Sequence, residues 1–210
     1  PGVYDMKASF VMMYHLFDLL KEEELHTDVK LVWLLTSDEE IGSPTGRYLV
    51  YDEAERSEAV LVLEPSADGG ALKTARKGGG KYRIEVNGIS AHSGINPEDG
   101  ANAIEELARQ IIHIADIAQP SLGTTINTGE ITGGTLFNVV PDHASAEVDV
   151  RILTNSEAER IENCFRNLAV YNPKTYLKVE GSIYRPPMVR TNKTGVLFNL
   201  AKNIAEEIGF

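Results

Sequence analysis

The sequence predicts an α/β chain in two parts, and three observations carry that prediction. Near the start, two strand-sized apolar runs, residues 29–35 and 59–63, alternate with helical stretches. From about Lys77 onward, apolar residues instead alternate with charged ones, the period of strands with one wet face. Two amphipathic helices are interleaved with those later strands in the order β-α-β-β-α-β.

Residues 1–74 read as part of a mostly parallel sheet with helices. Residues 10–20 are apolar on most sides, the mark of a buried helix, and run into Lys21, Glu22, Glu23 and Glu24. Residues 29–35 are apolar almost throughout, as strands of parallel sheets are. A helix is expected from Gly46 to about Glu55, followed by a buried strand over 59–63. Strand and helix alternating at this spacing favour parallel pairing.

Residues 75–187 read as a ferredoxin-like unit inserted into the first. Tyr82, Ile84 and Val86 mark its first strand, and Ile104, Leu107, Ala108, Ile111, Ile112 and Ala115 a helical stripe. Residues 124–131 form the next strand, leading through Gly133 and Gly134 to residues 143–152. There Ala144, Ala146, Val148, Val150 and Ile152 alternate with polar neighbours. Ser156 and Glu159 read as a capping box before a helix carrying Ile161, Phe165 and Leu168, and residues 175–183 close the unit. After Pro186 and Pro187, residues 188–210 hold a helix with Val196, Leu197, Leu200, Ala201 and Ile204, expected to return to the first part.

Charge narrows the partners. A net charge of −11 and a pI near 4.9 repel phosphate backbones and anionic headgroups, so neither nucleic acid nor membrane is expected. No apolar run approaches the ~18 residues of a membrane span. Cys164 is the single cysteine, which excludes an internal disulfide and suits a reducing, cytoplasmic compartment. The chain opens on Pro1 in mid-motif and stops near the end of a helix, and is expected to be a piece of a longer protein.

Acidic residues sit where the expected strands end. Asp5 precedes the first helix, Glu39 and Glu40 follow the second strand, and Glu64 follows the third. In open α/β sheets ligands bind outside the carboxyl ends of strands, so these acids should share one rim. Like charges that close repel strongly unless a cation neutralises them, and a divalent metal is the simple resolution. Each acid also has a bland reading: a helix N-cap for Asp5, a solvated loop for the glutamate pair, a strand exit for Glu64. Their joint placement at successive strand ends favours the metal. In the glutamate pair, one side chain could ligate while the other serves as general base towards a water.

Several motifs then carry a resemblance along nearly the whole chain. They are Tyr4-Asp5-Met6-Lys7-Ala8, Thr36-Ser37-Asp38-Glu39-Glu40-Ile41-Gly42-Ser43, Leu63-Glu64-Pro65 and Lys77-Gly78-Gly79. Further along come Gly88-Ile89-Ser90-Ala91-His92-Ser93-Gly94 and Gly133-Gly134-Thr135-Leu136-Phe137-Asn138-Val139-Val140-Pro141. In this order they resemble the M20 metallopeptidases, a family of glutamate carboxypeptidases, aminoacylases and related deacylases.

The resemblance implies a partial zinc-peptidase catalytic domain with an inserted lid or dimerisation domain, and a homodimer formed through that lid. It implies two zinc ions per subunit of the intact enzyme, with cobalt or manganese as alternatives. Asp5 would bridge them, Glu40 and Glu64 would each bind one, and Glu39 would be the general base. The family's His-x-Asp motif and last histidine ligand lie outside residues 1–210. His15 reads as packing within its helix, His26 and His113 as surface or helix-face residues, and His143 as a strand start without an acidic partner at ligand spacing. His92, in a Gly- and Ser-rich turn, reads by itself as a turn histidine bonded to backbone. The resemblance implies instead that it reaches a partner's active site and stabilises an oxyanion.

Asn138 is implied to contact substrate, beside a glycine-rich loop at Gly134 where backbone approaches a ligand closely. Arg151 reads as a substrate contact or a solvated strand residue. Arg185 reads as a clamp on a substrate carboxylate or a hinge-flanking arginine. The implied substrate is a peptide, of the glutamate-carboxypeptidase type, with an N-acyl amino acid as the alternative. A third reading makes the chain by itself a non-catalytic dimerisation module.

Overall fold

The computed structural model describes residues 2–24 and 28–210, and the chain divides into two units, Pro1–Ala71 and Leu72–Phe210. His26 lies outside the described residues.

In the first unit, helices α1 (Ala8–Glu22) and α2 (Gly46–Glu55) stand where the sequence places them. The two expected strands do not form. Residues 29–35 and 59–63 enter no β-ladder among the described residues. A parallel strand exists only through a partner strand, and neither run has one among the described residues. Their side chains therefore stay open to solvent, with Leu61 and Val62 each 74% exposed. The expectation that α1 is buried also fails, because none of its residues is buried. The apolar pattern marks surface suited to burial; it does not supply what buries it.

The second unit forms as the sequence predicts. Its strands are β1 (Gly78–Asn87), β2 (Ala91–His92), β3 (Thr125–Gly133), β4 (Val139–Val140), β5 (His143–Ile152) and β6 (Tyr176–Arg185). The helices are α3 (Ala103–Asp116), α4 (Asn155–Arg166) and α5 (Asn192–Glu207). The main sheet is antiparallel in the order β3-β5-β1-β6, the ferredoxin-like arrangement, and β2 pairs with β4 in a small second sheet.

Tyr82, Ile84 and Val86 of β1 and Ala144, Ala146, Val148, Val150 and Ile152 of β5 face one side, where Leu107, Ile114, Ile161 and Phe165 cover them. The other face is wet and laced with ion pairs such as Arg83–Glu147 at 2.8 Å and Lys178–Glu180 at 2.9 Å. Surface pairs of this kind each contribute about 0–1 kcal/mol.

Two local expectations shift. On α3 the buried side is Ala103, Glu106, Leu107, Gln110 and Ile114, while Ile112 is 66% exposed and Ala108 and Ala115 are also exposed. Glu106 and Gln110 go inside because the loop after α4 needs them. Glu106 accepts from the backbone of Tyr171 (3.0 Å) and Asn172 (2.8 Å), and Gln110 donates to Ala169 O at 2.8 Å. At α4 the cap is Thr154, whose hydroxyl accepts from Glu157 N–H at 3.2 Å, rather than the expected Ser156 with Glu159.

Residues 188–210 fall within the second unit as the chain divides here. Paired backbone bonds between Arg76 and Met188 (3.0 and 2.9 Å) and an Arg190–Thr74 bond (2.9 Å) anchor their start there. Helix α5 itself buries no residue.

Glu157 is a buried carboxylate held by Arg160 at 2.7 and 2.8 Å and by Thr124 Oγ1 at 2.5 Å. The bond from Arg160 is the main reason its carboxyl sits below the ordinary glutamate range, burial opposing and Thr124 assisting. A depressed folded pKa means the stabilisation is present above the unfolded value of ~4.3 and is lost as pH falls through the folded one. Glu157→Gln should cost about 1–3 kcal/mol at pH 7. As pH falls through the folded value its stability should converge on that of the unsubstituted chain, as read by urea unfolding at a series of pH values.

Candidate functional site

The acidic site is assembled by short-range ties within the first unit. Asp5 stands in extended backbone just before α1 and is exposed. The turn is closed by Lys7 N–H donating to Gly2 O at 3.0 Å, with Gly2 at φ 74°. Ser9 Oγ then donates to Leu63 O at 2.6 Å, tying the first turn of α1 to the segment that ends in Glu64. As a result Asp5 lies within hydrogen-bonding reach of Glu64.

Glu64 is half-buried, and its carboxyl is pushed above the usual range, first by burial and then by the charges of Asp5, Glu39 and Glu40. Glu39 and Glu40 occupy a tight turn, Glu39–Ile41, with both side chains exposed.

Among the described residues, no three His, Cys, Asp or Glu side chains stand arranged to hold a metal ion. Both observations hold together, because Coulomb coupling reaches much farther than the ~2 Å of a ligand bond. The four carboxylates share one electrostatic neighbourhood without closing on one point. Oxygen donors on three separate segments are chemically suited to a divalent cation, and a positive charge would relieve the repulsion that raises Glu64.

The turn bearing the glutamates has a support that the sequence does not announce. Asp38 Oδ2 accepts from Gly46 N–H (2.8 Å), Thr45 N–H (2.9 Å) and Thr45 Oγ1 (2.9 Å). Those bonds, Gly46 first, hold the Asp38 carboxyl below its ordinary range. An Asp beside two glutamates reads as one more surface charge, and only the seven- and eight-residue separation to Thr45 and Gly46 hints otherwise.

In the second unit the expected lid residues fall into two groups. His92 on β2 pairs with Val139 on β4, and Ser93 N–H donates to Asn138 O at 3.1 Å, so His92 and Asn138 are neighbours. His92 Nδ1 accepts from Gly94 N–H at 3.1 Å, which in the neutral ring leaves the proton on Nε2, available as a donor. Gly134, at φ 73°, turns the chain beside His143, to whose carbonyl it donates at 3.1 Å. His143, read as lacking an acidic partner in sequence, faces Glu85 at 3.3 Å across the sheet.

Arg151 and Arg185 sit at the opposite end, flanking Gly79 from β5 and β6. From Gly79 to the Asn87–His143 pair is eight residues of β1, on the order of 25 Å at ~3.3 Å per residue. Arg151 is exposed and bonds Asp149 at 2.9 Å. A Cβ at Gly79 would stand 2.8 Å from Tyr184 Oη and 3.2 Å from Arg151 Nη1, so glycine there leaves room for both. His15 is exposed and meets Tyr14 edge-on at 5.8 Å, and His113 is exposed in the last turn of α3.

A first unit with clustered acids, followed by a ferredoxin-like unit, defines a class of two-unit proteins with an acidic site, and comparison with known proteins narrows it. The family model for the M20 peptidase dimerisation domain matches residues 74–175. Carboxypeptidase G2 of Pseudomonas sp. (strain RS-16) is 28% identical over 158 residues, covering 75% of this chain and 38% of that protein. A peptidase M20 domain-containing protein of Schizosaccharomyces pombe is 32% identical over 132 residues, covering 57% of this chain and 32% of its own. The crystal structure of aminopeptidase PepT from Bacillus cereus superposes with a TM-score of 0.74 at 26% identity, over 98% of this chain and 55% of that one.

The chain belongs to the M20 peptidase family. It spans well under half the length of the two curated relatives.

Proposed function

We propose that the protein carrying this chain is a zinc-dependent hydrolase of peptide or amide bonds, a carboxypeptidase of the glutamate-carboxypeptidase type. The observation that carries this is the raised carboxyl of Glu64, pressed by Asp5, Glu39 and Glu40 from two other segments. Such a cluster calls for a cation. Asp5, Glu40 and Glu64 would hold it, Asp5 as the bridge between two ions. Bound there, zinc would supply Lewis acidity and bring the pKa of a ligated water towards ~7.

Glu39 takes a proton from the attacking water and returns it to the nitrogen of the leaving amine. The Nε2–H of His92, oriented by the Gly94 bond, donates to the developing oxyanion of a partner's substrate. Asn138 and the Gly134 turn contact the backbone of that substrate, while Arg151 and Arg185, at the opposite end of β1, would bind the carboxylate of a substrate in a separate site. Pairing of two lids along the β3 edge, beside the uncovered Ile104, Ala108, Ile112 and Ala115 stripe of α3, would make the homodimer. The division 1–74, 75–187 and 188–210 belongs to the same reading, with the last segment assigned to the catalytic domain. Cys164, a free thiol, suits a cytoplasmic location. No helix among the described residues is long and apolar enough to cross a membrane.

The carboxypeptidase choice rests on the likeness to carboxypeptidase G2, while the likeness to PepT favours a second reading, an aminopeptidase. Assay of the longer protein against peptides ending in glutamate, peptides with a free amino terminus and a blocked carboxyl end, and N-acetyl amino acids separates them. Preference for the first is expected. Faster cleavage of the second or third would transfer the assignment to aminopeptidase or deacylase. In the same assay His92→Ala should lower kcat by ~10²-fold or more without dissociating the dimer, and undiminished activity would remove its oxyanion role.

A further inference from the structure

We infer that Asp38 is a positioning residue of the acidic site, one that fixes the direction of Glu39 and Glu40 without touching metal or substrate; this rests on the proposed function above. The geometry is a closed circuit around one turn. The Asp38 side chain binds the start of α2 through Thr45 and Gly46, at 2.8–2.9 Å. Its main-chain carbonyl accepts from Ser43 N–H at 2.7 Å, and Glu39 O accepts from Gly42 N–H at 2.8 Å. From the far side Arg47 donates to Ser43 O (2.8 Å) and Gly42 O (3.0 Å). Gly42 and Ser43 both take positive φ, 88° and 53°, which reverses the chain directly after the glutamates.

Both glutamates are exposed, and the turn that carries them buries no residue. The backbone of that turn is anchored to α2 by Asp38 and Arg47.

The circuit also explains the glycine that begins α2. Gly46 is the one buried residue of that helix, and a Cβ on it would overlap Asp38 Oδ1. Replacing a helical glycine by alanine normally strengthens a helix. At this position it would push the aspartate out of its seat. Gly46→Ala should therefore disturb Asp38 by sterics alone, without altering the aspartate itself.

The test is equilibrium zinc binding to the longer protein that carries this chain, read by competition with a chromophoric chelator, alongside amide exchange at Thr45 and Gly46. Asp38→Ala and Gly46→Ala are each expected to weaken zinc binding at least tenfold. Asp38→Asn, which keeps an acceptor for the two amides, should stay within about threefold of the unsubstituted protein. Exchange at both amides should accelerate in the alanine variants and not in Asp38→Asn. Unchanged zinc affinity in Asp38→Ala or Gly46→Ala, while Glu64→Gln loses binding, would overturn the role of Asp38 alone. If Glu64→Gln binds zinc as well as the unsubstituted protein, or neither binds it, the acidic-site reading fails, and the positioning role falls with it.

Discussion

Glu39→Gln in the longer protein is expected to lower kcat by ~10²–10⁴-fold while leaving its zinc content unchanged. The amide is nearly isosteric with the carboxylate but cannot accept a proton at neutral pH, so the substitution removes the base and little else. Glu39 and Glu40 share one short exposed turn, and both raise the Glu64 carboxyl. What separates them in the proposed roles is ligation. Glu40→Gln should therefore lose metal as well as turnover. Loss of metal from Glu39→Gln with retention in Glu40→Gln would exchange the two assignments. Comparing kcat with elemental zinc content in both variants decides it.

Phe165→Ala is expected to destabilise the second unit by about 3–5 kcal/mol, enough to unfold many domains of marginal stability. Phe165 is 1% exposed and stacks on Tyr82 with ring centroids 3.9 Å apart and planes 12° from parallel. It is the largest fully buried side chain among the described residues. Its removal would leave a cavity between α4 and β1 and strip the cover from Tyr82. Burial, together with the charge of Glu162, already pushes the Tyr82 phenol up to about 12. Far-UV circular dichroism in urea measures the loss, and a shift under about 1 kcal/mol would mean that the core re-closes around the gap. A surface control such as Arg56→Ala, whose partner Glu53 is also solvated, should change stability by less than ~0.5 kcal/mol.

The ease with which the second unit could be read follows from where its information lies. Alternation at Tyr82, Ile84 and Val86 and at Ala144 through Ile152 is a property of the strands themselves, because side-chain period and pleat coincide. Burial of Glu106 and Gln110 was hidden, since polar residues read as exposed until a loop far along the chain is seen to need them. The α4 cap was misplaced by two residues because Thr154 and Ser156 both offer a hydroxyl, and only backbone geometry chooses Thr154.

The first unit divides differently. Its helices were legible from local pattern, but residues 29–35 and 59–63 carry the apolar content of parallel strands without a ladder among the described residues. Strand identity in a parallel sheet depends on neighbours distant in sequence, which no local pattern contains.

The site shows the same split. Asp5, Glu39, Glu40 and Glu64 are legible as acids beside apolar runs, and their charges meet at Glu64, although the strands expected to end at them do not form among the described residues. The Ser9–Leu63 bond that brings Asp5 to Glu64, and the Asp38 clamp, were not legible. Serine and aspartate at such positions have many possible partners, and only the folded chain selects one. His92 had two readings, and the Gly94 bond satisfies the bland one while leaving Nε2–H free for the other. Arg151 has the ion pair expected of a solvated strand residue, so its substrate role rests on family likeness alone.

The most direct measurement of the central claim is equilibrium dialysis of the longer protein against zinc, with Asp5→Asn as its partner. Asp5 is the proposed bridge, and it stands within hydrogen-bonding reach of Glu64, whose carboxyl it helps to raise. Saturable zinc binding by the unsubstituted protein, abolished in Asp5→Asn, is the expected result. Zinc bound equally by both, or by neither, would contradict the proposal that these carboxylates form a metal centre.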